Sequence, residues 1–506
     1  MTIAGIERAA ERLGEAPERT IGAEAGSGLG LGKQLVYGAG EIPNAVKTVA
    51  FGLFTLYFYT TVVGLSGTLV GIAAAIGLFW DAAIDPYIGY LSDRARSRFG
   101  RRHGFMLAGA LTMGASFWAF FDPPAGLSTS GLFAWLLVTS LLVRTATSVY
   151  GIPYFALGAE LSSDYQERTA ITAVRGALGL IGTLGAASLS FVLFFPNTTP
   201  GVDPKLDAGG YGEMGLVLGG VMTLIGLAVT LFTRPWPAAA AAVSSIGRRQ
   251  APPGGFFASF VQSLANRSFR LLFASYSLFF LAMVTNAALS IHYATYYVRI
   301  TESTALGTFQ FVFYLGALAG VGVWLRASRW IEKQQLYLLA LAGITFVLLA
   351  AVFLLGEGRP LGVGSVRALL VGHALGGFFG SVLWFVPGSM IADVVDEDAL
   401  VTGQRREGAF FGLFYFGQQI AAGVSLLATG TLVEWFAGLR PGMTDPSPLV
   451  VHRIGLLFGA LPAVLVLLAA GLILGYSLTR SRVRAIQAEL ASHGSSDAAV
   501  REGGAP

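Results

Sequence analysis

Twelve mostly apolar runs, each long enough to carry an α-helix across about 30 Å of hydrocarbon, constrain this chain more than any other feature. They lie near residues 35–62, 66–91, 104–122, 131–158, 171–195, 213–233, 269–297, 304–325, 336–355, 364–392, 409–436 and 455–478. The order is six, a break, then six. Charged residues make up only 12% of the chain and hydrophobic ones 54%, against roughly 25% charged in soluble domains. Folded in water, such a chain would expose far too much apolar surface. The soluble classes are excluded, and the reading is an all-α membrane protein with twelve transmembrane helices.

Composition removes other options. The chain has no cysteine, which rules out disulfides, thiolate metal sites and Cys nucleophiles. A net charge of +4 spread over short loops is no nucleic-acid signature. Sixty-seven glycines without a collagen period suit helices that pack closely through small residues. Residues 1–33 hold Arg8, Glu11, Arg12, Glu15, Glu18 and Arg19 with no apolar stretch, so they read as a tail and not a targeting signal. The glycine-rich run before Lys33 fails as a phosphate loop, because Ser27 and Gln34 stand where the pattern needs Gly and Ser/Thr.

Twenty-four of the 33 Lys and Arg residues fall in the tails and loops on one side, and six on the other. The excess marks the cytoplasmic side, which places both termini in the cytoplasm. The break at 234–268 contains Pro235, Pro237, five consecutive alanines, Arg248-Arg249 and Pro252-Pro253, and reads as a linker with a short surface helix around Phe256–Leu264. The expected organisation is a tail (1–33), a six-helix half (34–233), the linker (234–268), a second six-helix half (269–478) and a tail (479–506). The halves echo each other: Pro153 precedes Glu160, Asp164 and Arg168, as Pro387 precedes Asp393, Asp396 and Arg405. Paired sixes of this kind are the repeat pattern of secondary transporters.

The stretch from Trp80 to Arg102 carries the most chemistry. Gly89-x-x-x-Asp93-Arg94 followed by Arg101-Arg102 resembles the loop signature of the major facilitator superfamily. Gly89 permits close helix contact, and the charges form a network that can latch one gate. With Asp393, Asp396, Arg405 and Arg406 after the tenth span, these are the expected gating residues. Asp81 and Asp85 are four apart and share one helical face. A bare carboxylate inside a span costs several kcal/mol, so the pair is expected to hold a Na⁺ or a proton.

Four blocks resemble the glycoside–pentoside–hexuronide:cation symporters, the melibiose-permease branch of the major facilitators. They are Tyr37-Gly38-Ala39-Gly40, Phe58-Tyr59-Thr60-Thr61, the Asp81–Arg102 stretch, and Ala392-Asp393 through Gly408. The resemblance implies the two-half major facilitator fold. It also implies cation and sugar binding at Asp81 and Asp85, and a sugar-site role for Arg175. The chain departs from the pattern at Ala45, Gly151 and Thr61, where that family carries acids, and at Gln419 (or Gln418), where it carries a lysine. Charges of the chain's own are Glu41, Lys47 and Arg144. Lys47 lies deep in the first span and needs a carboxylate, for which Asp81 or Asp85 is the candidate. Tyr150 and Tyr154 flank Pro153 and join Arg175, Gln418, Gln419 and Lys47 as expected substrate-binding residues.

These features point to a monomeric symporter in the plasma or inner membrane. It would couple a small solute, a sugar or glycoside, to H⁺ or Na⁺, with no other cofactor and no nucleic-acid partner. Two alternatives stand beside it: an amphiphile carrier like the lysophospholipid symporters, and a membrane sensor or scaffold that does not transport. No nucleophile–base set or metal-ligand spacing points to an enzyme.

Overall fold

The computed structural model describes residues 29–95, 99–162, 165–197, 203–236, 262–403 and 406–490. The tail over 1–28, the linker over 237–261 and the last residues, 491–506, lie outside the described residues. So do most of the surface helix expected around Phe256–Leu264 and the side chain of Arg405.

Hydrocarbon offers no water to a backbone N–H or C=O, so apolar runs of this length fold as helices. Among the described residues, eleven helices are long and apolar enough to cross a membrane, and a bent pair at the start makes twelve. The bent pair, α1, joins Leu31–Leu53 to Thr55–Val62 at 46°. It is followed by α2 (Gly67–Arg94), α3 (His103–Phe121), α4 (Thr129–Gly158), α5 (Ala170–Phe194) and α6 (Ala208–Thr233). The second set is α7 (Arg267–Tyr297), α8 (Ser303–Ala327), α9 (Lys333–Phe353), α10 (Val366–Thr402), α11 (Glu407–Ala437) and α12 (Pro448–Ile473). The chain is therefore a multi-pass, all-α membrane protein. One boundary moves clearly: α10 runs on through Asp393, Asp396 and Asp398 to Thr402. Asp393 and Asp398 are buried against Lys333 and Arg406, and Asp396 accepts from Gln487, so these carboxylates do not end the helix.

Among the described residues five helices relax into a π-turn: Phe58–Val62 at the end of α1, Gly185–Leu189 in α5, Tyr293–Tyr297 at the end of α7, Val433–Ala437 at the end of α11 and Leu456–Ala460 in α12. The turns in α1 and α7 sit at matching places in the two sets of six.

Two apolar clusters hold the helices together. One gathers Phe269, Tyr337, Met390, Phe410 and Ile473 within α7–α12. The other begins with Tyr57, Phe58, Phe121 and Tyr211 in the first six helices, and continues into Ile291, Tyr293, Val433 and Phe458 of the last six. This second cluster seals one end of the molecule, termed here the gate end.

At the gate end α2 and α11 touch backbone to backbone. A Cβ on Gly67 would stand 2.5 Å from the Gly430 carbonyl oxygen, so only glycine allows the approach. Around it, Ser66 Oγ donates to Glu434, and the Thr68 backbone N–H donates to Glu434 Oε2 at 2.9 Å. Gly442 N donates to the Thr60 carbonyl at 2.8 Å. His292 Nε2 lies 3.3 Å from Thr60 Oγ1 and 3.4 Å from Thr61 Oγ1. Lys205, fully buried, donates to the Thr301 carbonyl at 2.9 Å and pairs with Asp203 at 2.7 Å. Burial draws the Lys205 ammonium below the ordinary lysine range, with Asp203 opposing.

At the other end, among the described residues, the ion pairs stay within each set of six. Arg102 Nη1 binds Asp93 Oδ1 at 2.6 Å and Ser92 Oγ at 3.0 Å, and its Nη2 binds Glu160 Oε1 at 2.9 Å. Arg101 also reaches Glu160. In the second set Lys333 pairs with Asp393 at 2.6 Å and Arg406 with Asp398 at 2.6 Å. The molecule is thus closed at the gate end, where α2 and α11 are held together; among the described residues no ion pair joins the two sets at the arginine end.

Candidate functional site

Close packing of α1 on α4 builds the floor of the site. Tyr37 Oη donates to the Tyr154 carbonyl at 3.2 Å, and Tyr154 Oη returns a bond of 2.9 Å to the Tyr37 carbonyl. The rings stack with centroids 4.7 Å apart. Any Cβ on Gly40 would run into the Tyr154 ring and lie 2.8 Å from Tyr150 Oη. The Tyr37–Gly40 block is therefore a packing surface for the two tyrosines. Helix α1 turns at Gly40-Glu41 and restarts with Pro43 in its first turn, which sets Glu41, Asn44 and Lys47 along the restarted segment.

A cavity of about 220 Å³ opens above this floor. It is lined by Asn44 and Lys47 of α1, Asp81 and Asp85 of α2, Ser148, Tyr150 and Tyr154 of α4, and Gln419 of α11. Six of the expected residues therefore share one chamber: Lys47, Asp81, Asp85, Tyr150, Tyr154 and Gln419. Gln418 and Arg175 are not among its lining residues. Arg175 Nε instead lies 3.6 Å from Glu41 Oε2 and its guanidinium 5.0 Å from the Phe155 ring, while Asn44 Nδ2 donates to Glu41 Oε1 at 3.0 Å. Arg175 thus acts on the chamber through Glu41 and Asn44.

The pairing expected of Lys47 needs correcting. Asp81 Oδ2 is held by Arg144 Nη1, with both side chains more than nine-tenths buried. Arg144 also lies 5.4 Å from the centre of the Phe51 ring. With Asp81 taken, Lys47 has no ion pair within 4.0 Å among the described residues, although the charges of Asp81, Asp85, Arg144 and Glu41 all act on it. Asp81 Oδ1, Asp85 Oδ1 and Tyr150 Oη are buried without a hydrogen-bond partner. Lys47, Asp81 and Asp85 therefore line the chamber, while Glu41, Arg144 and Arg175 lie behind its lining. Two acid–base pairs are closed, while Asp85 and Lys47 are left facing the space.

Sequence reasoning left Arg144 without a role. Helices α2 and α4 run in the same direction, with Asp81 twelve residues before Asp93 and Arg144 sixteen before Glu160. Only the structure, where Arg102 sets those two acids level, brings Arg144 to Asp81.

The expected gating residues divide. Asp93 and Arg102 tie α2 to the end of α4 through Glu160, and Arg101 joins them. Gly89 lies against Ile152 of α4. Arg94 folds back over Tyr90, 3.8 Å from the ring centre. In the second set, Asp393 binds Lys333, Asp396 accepts from Gln487 Nε2 at 3.0 Å, and Arg406 clasps Asp398. Lys333 and Asp398 were not singled out from the sequence. Among the described residues, no group of three or more His, Cys, Asp or Glu could hold a metal ion.

The family model described as "MFS/sugar transport protein" matches residues 36–480. The chain belongs to that family. This transporter is similar to an uncharacterized symporter of Synechocystis sp., 26% identical with 88% of this chain and 94% of the relative covered. It is 23% identical to the sodium-dependent lysophosphatidylcholine symporter 1-A of Danio rerio, over 89% and 86% of the two chains. To the isoprimeverose transporter of Lactiplantibacillus pentosus it is 22% identical, over 75% of each. Among solved structures, a bacterial homolog of the human lysosomal transporter Spinster, in an inward-facing and unoccupied conformation, aligns with a TM-score of 0.62 at 15% identity. It covers 88% of this chain and 95% of that one, and shows a shared fold. The protein is thus a major facilitator secondary transporter, moving a small solute by alternating access.

Proposed function

We propose that the transporter is a cation-coupled symporter for a sugar or glycoside, as in the glycoside–pentoside–hexuronide branch. Its two halves, 34–233 and 269–478, rock about the chamber, and both termini lie in the cytoplasm. The observation that carries this reading is the single chamber in which Asp81 and Asp85 face Lys47, Tyr150 and Gln419. Hydroxyl-rich solutes need several donors and acceptors around a small volume, and this lining supplies both. The isoprimeverose transporter among its relatives supports the solute class.

Asp81 and Asp85 form the cation site, and the proton is the favoured cation. Arg144 already compensates Asp81, which leaves one open carboxylate. A Na⁺ needs several oxygen ligands carrying negative charge, whereas a proton needs one carboxylate whose charged form burial disfavours. Proteoliposomes with separately imposed H⁺ and Na⁺ gradients test this against a panel of glycosides. Accumulation driven by the proton gradient, lost in Asp85→Asn while solute exchange persists, is the expected result. Accumulation driven by Na⁺ at fixed pH, with no response to a proton gradient, reverses the cation assignment.

One observation favours a second reading, an amphiphile as solute. An apolar cavity of about 350 Å³ lies among α7, α8, α9, α10 and α12 beside the exposed Phe346 and Val371. A lysophosphatidylcholine symporter also stands among the relatives. Uptake of a lysophospholipid and of no glycoside in the same panel decides for it.

A further inference from the structure

A second, larger cavity lies far from the chamber, at the end of the molecule that carries the arginine-rich loops. It measures about 660 Å³ and sits between the α8–α9 turn, the lower part of α10 and the segment after α12. Its rim holds four cations: Arg329, Lys333, Arg480 and Arg484. Two of them are spent. Lys333 is bound to Asp393, and Arg480 donates to the carbonyls of Ser328, Arg329 and Ile331 at 2.8–3.2 Å. Arg329 and Arg484 are exposed, and among the described residues neither side chain makes an ion pair or a hydrogen bond. The wall below is apolar, formed by Leu325, Phe385 and Leu478.

The segment that closes this cavity packs against the protein's own core. Residues 480–490 are helical. Val483, Ile486 and Leu490 point into the apolar core, while Arg482, whose guanidinium reaches Glu397 at 3.8 Å, and Arg484 are exposed on its two flanks. Exposed arginines at the membrane face attract anionic headgroups. A soluble anion would need only the cations. The apolar wall beneath them fits a ligand with a phosphate at one end and hydrocarbon at the other.

We propose that this cavity binds an anionic phospholipid, its phosphate between Arg329 and Arg484 and an acyl chain against Leu325 and Phe385. The bound headgroup then stands beside the Lys333–Asp393 pair that ties α9 to α10. Lipid composition would bear on the transporter there, independently of what it carries.

Native mass spectrometry of the detergent-solubilised full chain tests the site, with phosphatidylglycerol and phosphatidylcholine as probes. Phosphatidylglycerol is expected to bind more tightly. Arg329→Ala combined with Arg484→Ala should weaken it roughly thirtyfold, the loss of two headgroup-contacting charges. Arg329→Lys with Arg484→Lys keeps the charge and should retain most of the binding, which separates lost contact from lost fold. Equal binding of the two lipids, or an unchanged affinity in the alanine variant, overturns the proposal. Displacement of phosphatidylglycerol by inorganic phosphate alone would assign the site to a soluble anion, and overturns it equally.

Discussion

Arg144 and Asp81 form a contact that neither residue could sustain alone in this setting. Removing one member of a buried pair strands the other charge and typically costs about 3–5 kcal/mol, whereas replacing both with apolar groups is often neutral. Arg144→Met should therefore destabilise the transporter by about that amount. Arg144→Met with Asp81→Leu should recover most of it, and thermal or denaturant unfolding in detergent measures both. A second residue-scale prediction concerns Gly40, which sits beneath the Tyr154 ring. Gly40→Val overpacks that contact and should cost about 1–3 kcal/mol in the same assay. The acids of this site were legible in the sequence, because a carboxylate inside an apolar run stands out in any register. The pairing was not. Which cation meets which acid depends on the depth and rotation of helices that are far apart in the chain. The role of the Tyr37–Gly40 glycines was hidden for the same reason: sequence records that a residue is small, not what stands over it.

At the scale of helices, the twelve apolar runs showed themselves because hydrocarbon thickness imposes a length that soluble helices need not obey. Their ends were less visible. Asp393, Asp396 and Asp398 suggest a boundary where α10 in fact continues, since each carboxylate finds its partner from another segment. The π-turns left no mark in composition, yet they cluster where helices reach the gate end. The contact of α2 with α11 depends on Gly67 and Gly430 alike. Gly430→Val should hold the two helices apart at that end. The chain has no native cysteine, so Thr61→Cys, at a position 3% exposed, can be labelled without background. The single variant should resist a membrane-impermeant maleimide, and the variant that also carries Gly430→Val should react with it.

The whole molecule works only if the bonds at the gate end are exchanged for others. Arg102, binding Ser92, Asp93 and Glu160 together, fastens α2 to α4 within the first set of helices, so that motion of one carries the other. Arg102→Ala should slow solute exchange in proteoliposomes at least about tenfold while leaving equilibrium solute binding within about twofold. A change of that size in the barrier is about 1.4 kcal/mol, comparable to one charge-assisted hydrogen bond. Opening the gate end releases the Ser66 hydroxyl and the Thr68 N–H from Glu434, the Gly442 N–H from Thr60, and Lys205 from the Thr301 carbonyl. Lys205 keeps its pair with Asp203, while solvent takes up the released Ser66 hydroxyl and the Thr68 and Gly442 N–H groups. The equilibrium between closed and open is thereby tied to the activity of water. Solutes excluded from protein surfaces, such as sucrose, favour the less hydrated state, so rising osmolality should hold this transporter shut at that end.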